Sequence, residues 1–398
     1  MLSEPKLIFV NRVYWPNEAA TAQLLTDLTQ GLAARGREVH VVAAGVGPAV
    51  HAGVTIHRTG GADIHHGLLA RAMNYREFLV RARRVVSELA QPDDWVVLKT
   101  DPPMLAAALT GLARQRGARV VQWIQDIYPE IVPQHTGAWL APLLAPLRWT
   151  RNRAWRNSAT CVVVGADLHE TVVRQGVPTG RVRVMPNWAP RELAEPARPA
   201  DVAAQRATWD VVDKFLVAYS GNLGRVHEFS TLLDGAERLR AHPGIVFAFV
   251  GSGPRLTEVR RSVAARRLTN VRFLPAVPRG QLAVALAAAD VHAVTLRGGF
   301  ERLVNPSKLA GILAAGRPAL FVGPTDSAIA ALITRERCGR AVPTGAAGEL
   351  AETILAWRAD AAITSALRAH ARRAFERHFQ FEAQLAAWDQ LLSDSADT

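Results

Sequence analysis

Short apolar runs alternate with longer segments rich in Ala, Leu and Arg along most of the chain. Residues 6–10, 38–43, 95–98, 120–124 and 161–164 are short, branched and without strict alternation, which predicts strands buried on both faces of a parallel sheet. Between them lie segments of helical character, among them 20–35 with Gly36 as its stop and 103–116 with Gly117 as its stop. The series pauses at 185–206, where four prolines in MPNWAPRELAEPARPADVAAQR predict an interdomain linker. A second series follows at 215–220, 246–251, 271–274, 291–295 and 319–322, again with helical segments between the strands. Strand, helix, strand repeated this often predicts an α/β architecture of two similar, doubly wound domains facing a cleft. The expected divisions are an N-terminal domain over 1–190, a linker over 191–210, a C-terminal domain over 211–378 and an amphipathic C-terminal helix over 379–398 that packs back on the N-terminal domain.

Composition narrows the class. Of 398 residues, 49% are hydrophobic and 21% charged, enough apolar material for a large core and too little charge for general disorder. Cys161 and Cys338 are the only cysteines, which excludes a disulfide framework or a cysteine zinc site and fits a reducing compartment. Residues 1–15 carry an early acid, Glu4, and no apolar core, so no cleaved signal peptide is expected. Pro, Gly, Arg or Asp interrupts each apolar stretch short of the roughly 18–20 residues that a transmembrane helix needs. The expectation is a cytoplasmic chain, peripheral on the inner face of the cell membrane. A net charge of +12 leaves three anionic partners open: nucleic acid, a membrane surface or a phosphate-bearing substrate.

In open α/β sheets ligands bind beyond the carboxyl ends of the strands, where glycines let the backbone approach. Three such turns stand in the second half: Gly221-Asn222-Leu223-Gly224-Arg225, Gly251-Ser252-Gly253-Pro254, and Gly298-Gly299-Phe300-Glu301 followed by Asn305-Pro306-Ser307-Lys308. Each alone also fits an ordinary strand–helix turn, but all three are expected along one sheet edge. No third glycine follows Gly253 at the dinucleotide spacing, and GxxxxGK[ST] is absent, which excludes the dehydrogenase and P-loop readings. At 306–308, Pro suits a first helical turn, Ser a cap, and Lys brings a point charge to a diphosphate, though a solvated lysine on a capped helix has the same sequence. In the first half, Asp126 and Glu130 follow an apolar strand; Asp126 reads equally as an acceptor-orienting base or as a helix cap. Lys99 and Asp101 end another strand and shape its edge, while His135 reads as a surface residue.

From 131 to 166 there is no acidic residue. Leu140, Leu143, Leu144 and Leu147 share one helical face, Arg148, Arg153 and Arg156 project away from it, and Trp139, Trp149 and Trp155 surround it. That composition suits the interface of an anionic bilayer, with the leucines inward and Trp and Arg towards lipid. Pro142 and Pro146 count against a single helix, and the leucines alone fit a helix packed on its sheet. No nucleic-acid recognition motif accompanies the arginines.

Taken in order, the opening strand and 20–36, Asp126-Ile127-Tyr128-Pro129-Glu130, Met185-Pro186-Asn187-Trp188, Gly221-Asn222-Leu223-Gly224, Gly251-Ser252-Gly253-Pro254 and Asn305-Pro306-Ser307-Lys308 to Ala314-Ala315-Gly316-Arg317-Pro318 resemble the retaining glycosyltransferases of family 4. Their GT-B fold is two Rossmann-like domains, and the nearest branch builds O-antigen, capsule and exopolysaccharide, including transferases of N-acetylated amino sugars. The resemblance implies a C-terminal domain that binds a nucleotide-diphosphate sugar, UDP being the expected base, and an N-terminal domain that binds a lipid-linked or glycan acceptor. It assigns the diphosphate to Asn222, Arg225 and Lys308, with Gly221, Gly224, Pro306 and Ser307 around it. Glu301, Gly299 and the Phe300 backbone would hold the sugar, and Gly251, Gly253 and Pro254 would lie beside the nucleoside. Asp126, Glu301 and Lys308 are the expected catalytic residues. Glu18, Glu130, Arg148, Trp149, Arg153, Trp155 and Arg156 fall on the acceptor or membrane side. Two departures matter: His227 falls near the family's usual lysine, and the E-x7-E glutamates are replaced by Leu303 and Gly311. No metal or cofactor is implied. A sugar-nucleotide epimerase or hydrolase of the same fold, and a non-catalytic nucleotide-sugar or nucleic-acid binding protein, remain the rival readings.

Overall fold

The computed structural model describes residues 4–61 and 68–393. Residues 1–3 and 394–398, at the two ends read above, and the side chain of His135 lie outside the described residues. The chain forms two compact units, one of residues 1–186, 302–305 and 382–398, the other of 187–301 and 306–381.

The first unit holds an eight-stranded sheet of β1 (Leu7–Val10), β2 (Val39–Ala43), β3 (Val50–His51), β4 (Val54–Arg58), β5 (Trp95–Leu98), β6 (Arg119–Ile124), β7 (Thr160–Val163) and β8 (Val182–Val184). Their order is β3-β4-β2-β1-β5-β6-β7-β8, parallel except where β3 meets β4. β1 lies centrally, with Leu7 opposite Val39 on one side and Trp95 on the other, and all four of its residues are buried. Helices Ala20–Ala34 and Leu105–Gln115 are followed by Gly36 and Gly117 at φ +88° and +79°, the left-handed values at which glycine ends a helix without strain. The helix Phe381–Ser393 contributes Trp388, whose ring centroid lies 4.8 Å from that of Trp123 on β6.

The second unit is an all-parallel six-stranded sheet: β9 (Phe215–Ser220), β10 (Ile245–Val250), β11 (Val271–Leu274), β12 (Val291–Thr295), β13 (Ala319–Val322) and β14 (Gly339–Val342), in the order β11-β10-β9-β12-β13-β14. The order in which strands are added reverses between β9 and β12, so their carboxyl ends border the switch point where open sheets bind ligands. Tyr219, Phe229, Phe249 and Phe273 stack through its core at centroid separations of 5.0–5.9 Å.

All ten expected strands form, none displaced by more than one residue at either end. β3, β4, β8 and β14 were not expected, because each is very short or carries the Arg, His or Gly that usually marks a loop. The proline-rich 191–210 stretch contains a helix, Pro199–Thr208, with Pro199 in the first turn where its missing N–H is harmless.

The basic segment differs from its expected arrangement. Pro142 and Pro146 divide it into a 3-10 turn at Ala138–Leu140 and a helix at Ala145–Arg156, and this resets the phase. Arg151, Ala154 and Trp155 face inward instead of the leucines, while Leu143 is 69% exposed and Leu147 43%. Trp155 is buried and Glu130 is held in a two-pronged ion pair by Arg151 at 2.6 and 2.8 Å, so neither lies on an open acceptor or membrane face.

Candidate functional site

In the second unit two glycine turns lie backbone against backbone. Gly221 N–H donates to Val250 O at 2.8 Å, and Leu223 N–H to Ser252 O at 2.7 Å. Gly251 and Gly253 hold φ of +133° and +146°; a Cβ on the first would stand 2.4 Å from Gly221 O, and one on the second 2.6 Å from Leu223 N. Only glycine fits either place. Gly251 and Gly253 therefore build the edge, and the other groups along it carry the chemistry.

Lys308 is the first of these. Its Nζ is buried, makes no hydrogen bond, and lies 3.7 Å above the centre of the Tyr219 ring. Burial pulls the amine down from its usual value to about 7. The Tyr219 hydroxyl donates to Asn222 O at 2.8 Å, which ties the ring under the lysine to the first glycine turn. A Cβ on Gly221 would sit 3.8 Å from Lys308 Nζ, so that glycine keeps the space beside the ammonium open.

His227 lies one turn further on, 8% exposed and packed against Tyr219 and Phe229. Its Nδ1 is 2.7 Å from Thr295 O. A carbonyl oxygen only accepts, so Nδ1 carries the proton and Nε2 is left with a lone pair. Burial first, then the charge of Lys308, hold its pKa down at about 3, so the ring is neutral at physiological pH.

The remaining sequence-expected donor residues are placed as follows. Asn222 and Arg225 are exposed on the first turn, and Pro254 is exposed on the second. Gly299 N–H donates to Glu301 Oε2 at 2.7 Å, and Phe300 N–H to Arg297 O at 3.2 Å, so Glu301 and the Phe300 amide serve their own turn. Pro306 is buried. Ser307 makes no capping hydrogen bond, contrary to expectation, because it already has helical angles of −68° and −17° where a cap needs an extended backbone. Leu303 is buried, and a Cβ on Gly311 would face Leu193 and Leu286 at 3.4 Å. The Gly311 position thus has apolar surroundings unsuited to a carboxylate.

In the first unit, a charged cluster lies at the carboxyl ends of β5 and β6. Lys99 is 2% exposed; its Nζ donates to Thr21 O at 3.1 Å and lies 3.8 Å from the centre of the Trp123 ring. Burial lowers it to about 7 against the opposing charges of Asp101 and Asp126. Asp126 is raised to about 6 by burial, restrained by the charge of Lys99. Its backbone bridges to Val304, and the following helix, Ile131–Thr136, has Glu130 at its N-cap position, so Asp126 is not a helix cap. Asp101 is paired with Arg12 at 3.1 Å. The sequence marks Lys99 only as shaping the edge, because nothing in one lysine after a strand reveals that it is buried. Glu18, Arg148, Trp149, Arg153 and Arg156 belong to this unit and lie away from the cluster in sequence; Trp149 is 57% exposed with the Arg153 guanidinium 5.6 Å from its ring centre. Among the described residues no three His, Cys, Asp or Glu side chains are grouped to hold a metal ion, and no helix is long and apolar enough to cross a membrane.

Comparison with known proteins accords with this geometry. Residues 20–188 match the glycosyl transferase 4-like domain, and residues 214–360 match the glycosyl transferases group 1 domain. The chain is 25% identical over 340 residues to Escherichia coli WcaI, which bears the name of a colanic acid biosynthesis glycosyl transferase, covering 79% of this chain and 83% of that one. It is 26% identical over 276 residues to Pseudomonas aeruginosa WbjE, named as a glycosyltransferase, covering 68% of each. The crystal structure of Anabaena HepE with UDP and glucose superposes with a TM-score of 0.77 at 16% identity, over 98% of this chain and all of that one. Two parallel-sheet units and two consecutive domain matches lead to one classification: the chain is a GT-B glycosyltransferase and belongs to the family 4, group 1 glycosyltransferases.

Proposed function

We propose that this enzyme moves a sugar from a nucleotide diphosphate to a lipid-linked or glycan acceptor in the assembly of a bacterial surface polysaccharide, with retention at the anomeric carbon. UDP is the expected base and an N-acetylated amino sugar the expected cargo. The observation that carries the donor assignment is the buried Lys308 amine, without a hydrogen bond or a carboxylate partner, at the switch point of the second sheet. An unpaired buried cation is costly, and a diphosphate supplies the charge that it lacks. The UDP bound by HepE and the polysaccharide assignment in the name of WcaI support the same reading.

In this reading residues 211–378 hold the nucleotide sugar, with Lys308, Asn222 and Arg225 on the diphosphate, and residues 1–190 hold the acceptor. The bond from the anomeric carbon to the phosphate oxygen breaks as the acceptor oxygen bonds to that carbon on the same face. Lys308 offsets the charge that grows on the departing phosphate, and Asp126 orients the acceptor hydroxyl or takes its proton. Exposed Trp139, Leu143, Leu147 and Trp149 with Arg148 and Arg153 form the surface that rests on the inner face of the membrane.

Incubation with nucleotide sugars, first without and then with an acceptor lipid extract, tests the reaction. Transfer that requires acceptor and fails in Lys308→Ala supports it. Turnover of donor alone to an epimer or free sugar would make the enzyme an epimerase or hydrolase.

A further inference from the structure

Three side chains line the first glycine turn of the second unit, the buried amine of Lys308, the buried His227 and the exposed Asn222, and only two have an obvious use. Lys308 offers a cation and Asn222 an amide. His227 stands where a lysine was expected, and its environment forbids it a charge.

The tautomer is fixed by the 2.7 Å contact from Nδ1 to Thr295 O, and the ring is clamped between Tyr219 and Phe229. What remains available is the Nε2 lone pair. A Cβ built on Gly224 would lie 3.9 Å from that nitrogen and 3.3 Å from Asn222 Nδ2, so the glycine leaves open the space onto which both side chains face. Gly221, three residues earlier, leaves open the space beside Lys308 Nζ at 3.8 Å. One turn thus presents a cationic donor and, close by, a neutral acceptor.

A phosphate oxygen satisfies the first and is repelled by the second, because neither the oxygen nor Nε2 carries a proton at neutral pH. The ligand chemistry that satisfies both is a phosphate ester with an O–H or N–H group next to it. In a nucleotide sugar the group next to the anomeric phosphate is the C2 substituent, a hydroxyl or an acylamino N–H. We propose that His227 is a specificity-determining residue whose Nε2 accepts a hydrogen bond from the donor sugar's C2 hydroxyl or amide, and that it takes no part in holding the diphosphate. The inference rests on the nucleotide-sugar reading above.

The experiment is calorimetric titration of wild type, His227→Phe and His227→Gln with UDP, GDP, dTDP and ADP, with their sugar conjugates, and with the 2-deoxy conjugate of whichever sugar binds best. Phe keeps the ring and removes the acceptor; Gln restores an acceptor. The sugar's C2 donor, left buried and unmatched when the acceptor is removed, costs about 10- to 100-fold in affinity. The expected result is that His227→Phe leaves the free diphosphate unchanged and weakens the sugar conjugate about 10-fold or more. His227→Gln recovers part of that loss, and the 2-deoxy conjugate binds wild type and His227→Phe alike. Equal weakening of diphosphate and conjugate, or no weakening of either, overturns the inference while leaving the donor reading intact. Failure of wild type to bind any of these nucleotides overturns the donor reading itself, and the inference with it.

Discussion

At the scale of single residues, both buried lysines stand out because each is held near half-charge by its surroundings. Lys308 has a folded value of about 7, below the usual lysine value of 10.5. Between these limits the unfolded chain binds more protons than the folded one, so this residue makes stability rise with pH from about 7 upward, and its cost is greatest below pH 7. Lys308→Met is therefore expected to melt a few degrees higher than wild type at pH 6 and to converge with it near pH 10–11. Melting curves of the two proteins at both pH values check this; equal or lower melting of the variant at pH 6 would refute it. Asp126, held at about 6, places the acid limb of kcat/KM near that pH if it handles the acceptor hydroxyl. Lys99→Met removes the charge that favours its ionised form, so the limb should move to higher pH. A limb that stays where it was would separate Lys99 from Asp126. The carboxylate was visible in the sequence because it follows an apolar strand. The lysine's burial was not, since it depends on Trp123 and on Thr21, which lie far from it in sequence.

At the scale of elements, the glycine turns explain why strand ends were easier to read than the residues just past them. Ten strands are apolar enough to betray themselves, and the two short edge strands β3 and β8 are not. Likewise, the leucine spacing at 140–147 misleads because periodicity assumes an unbroken helix, whereas the helix starts only at Ala145. The turns also differ among themselves. Gly253→Ala brings a side chain onto backbone at 2.6 Å with φ at +146°, and should destabilise the fold by about 2–3 kcal/mol. Gly224→Ala meets only side chains, at 3.3 Å and beyond, and should cost less while narrowing the space over His227. Urea unfolding of the two variants gives the comparison. A larger loss for Gly224→Ala would mean that the two turns are not packed as described.

At the scale of the whole molecule, the 47 lysines and arginines divide among structural pairs, the proposed diphosphate site and the tryptophan-bearing surface of the first unit. Many arginines are spent internally, as in the Arg151–Glu130 pair and the grouping of Arg206 and Arg368 on Asp290. Segment 139–153 exposes Trp139, Leu143, Leu147 and Trp149 together with Arg153, and it carries no acidic residue of its own. Co-sedimentation with vesicles containing about one-third phosphatidylglycerol should fall severalfold in a Trp139→Ala, Trp149→Ala, Arg148→Glu, Arg153→Glu variant and should be weak for all forms on neutral vesicles. Undiminished binding of the variant would remove this face from the account.

The central claim is that the second unit binds a nucleoside diphosphate through Lys308. Titration of UDP, GDP, dTDP and ADP into wild type and Lys308→Met measures it directly. Removing a buried charge-to-phosphate contact of roughly 2.7 kcal/mol should weaken the best of these ligands about 100-fold while the variant remains folded. Equal affinity of the folded variant, or no nucleotide bound by wild type, would contradict it.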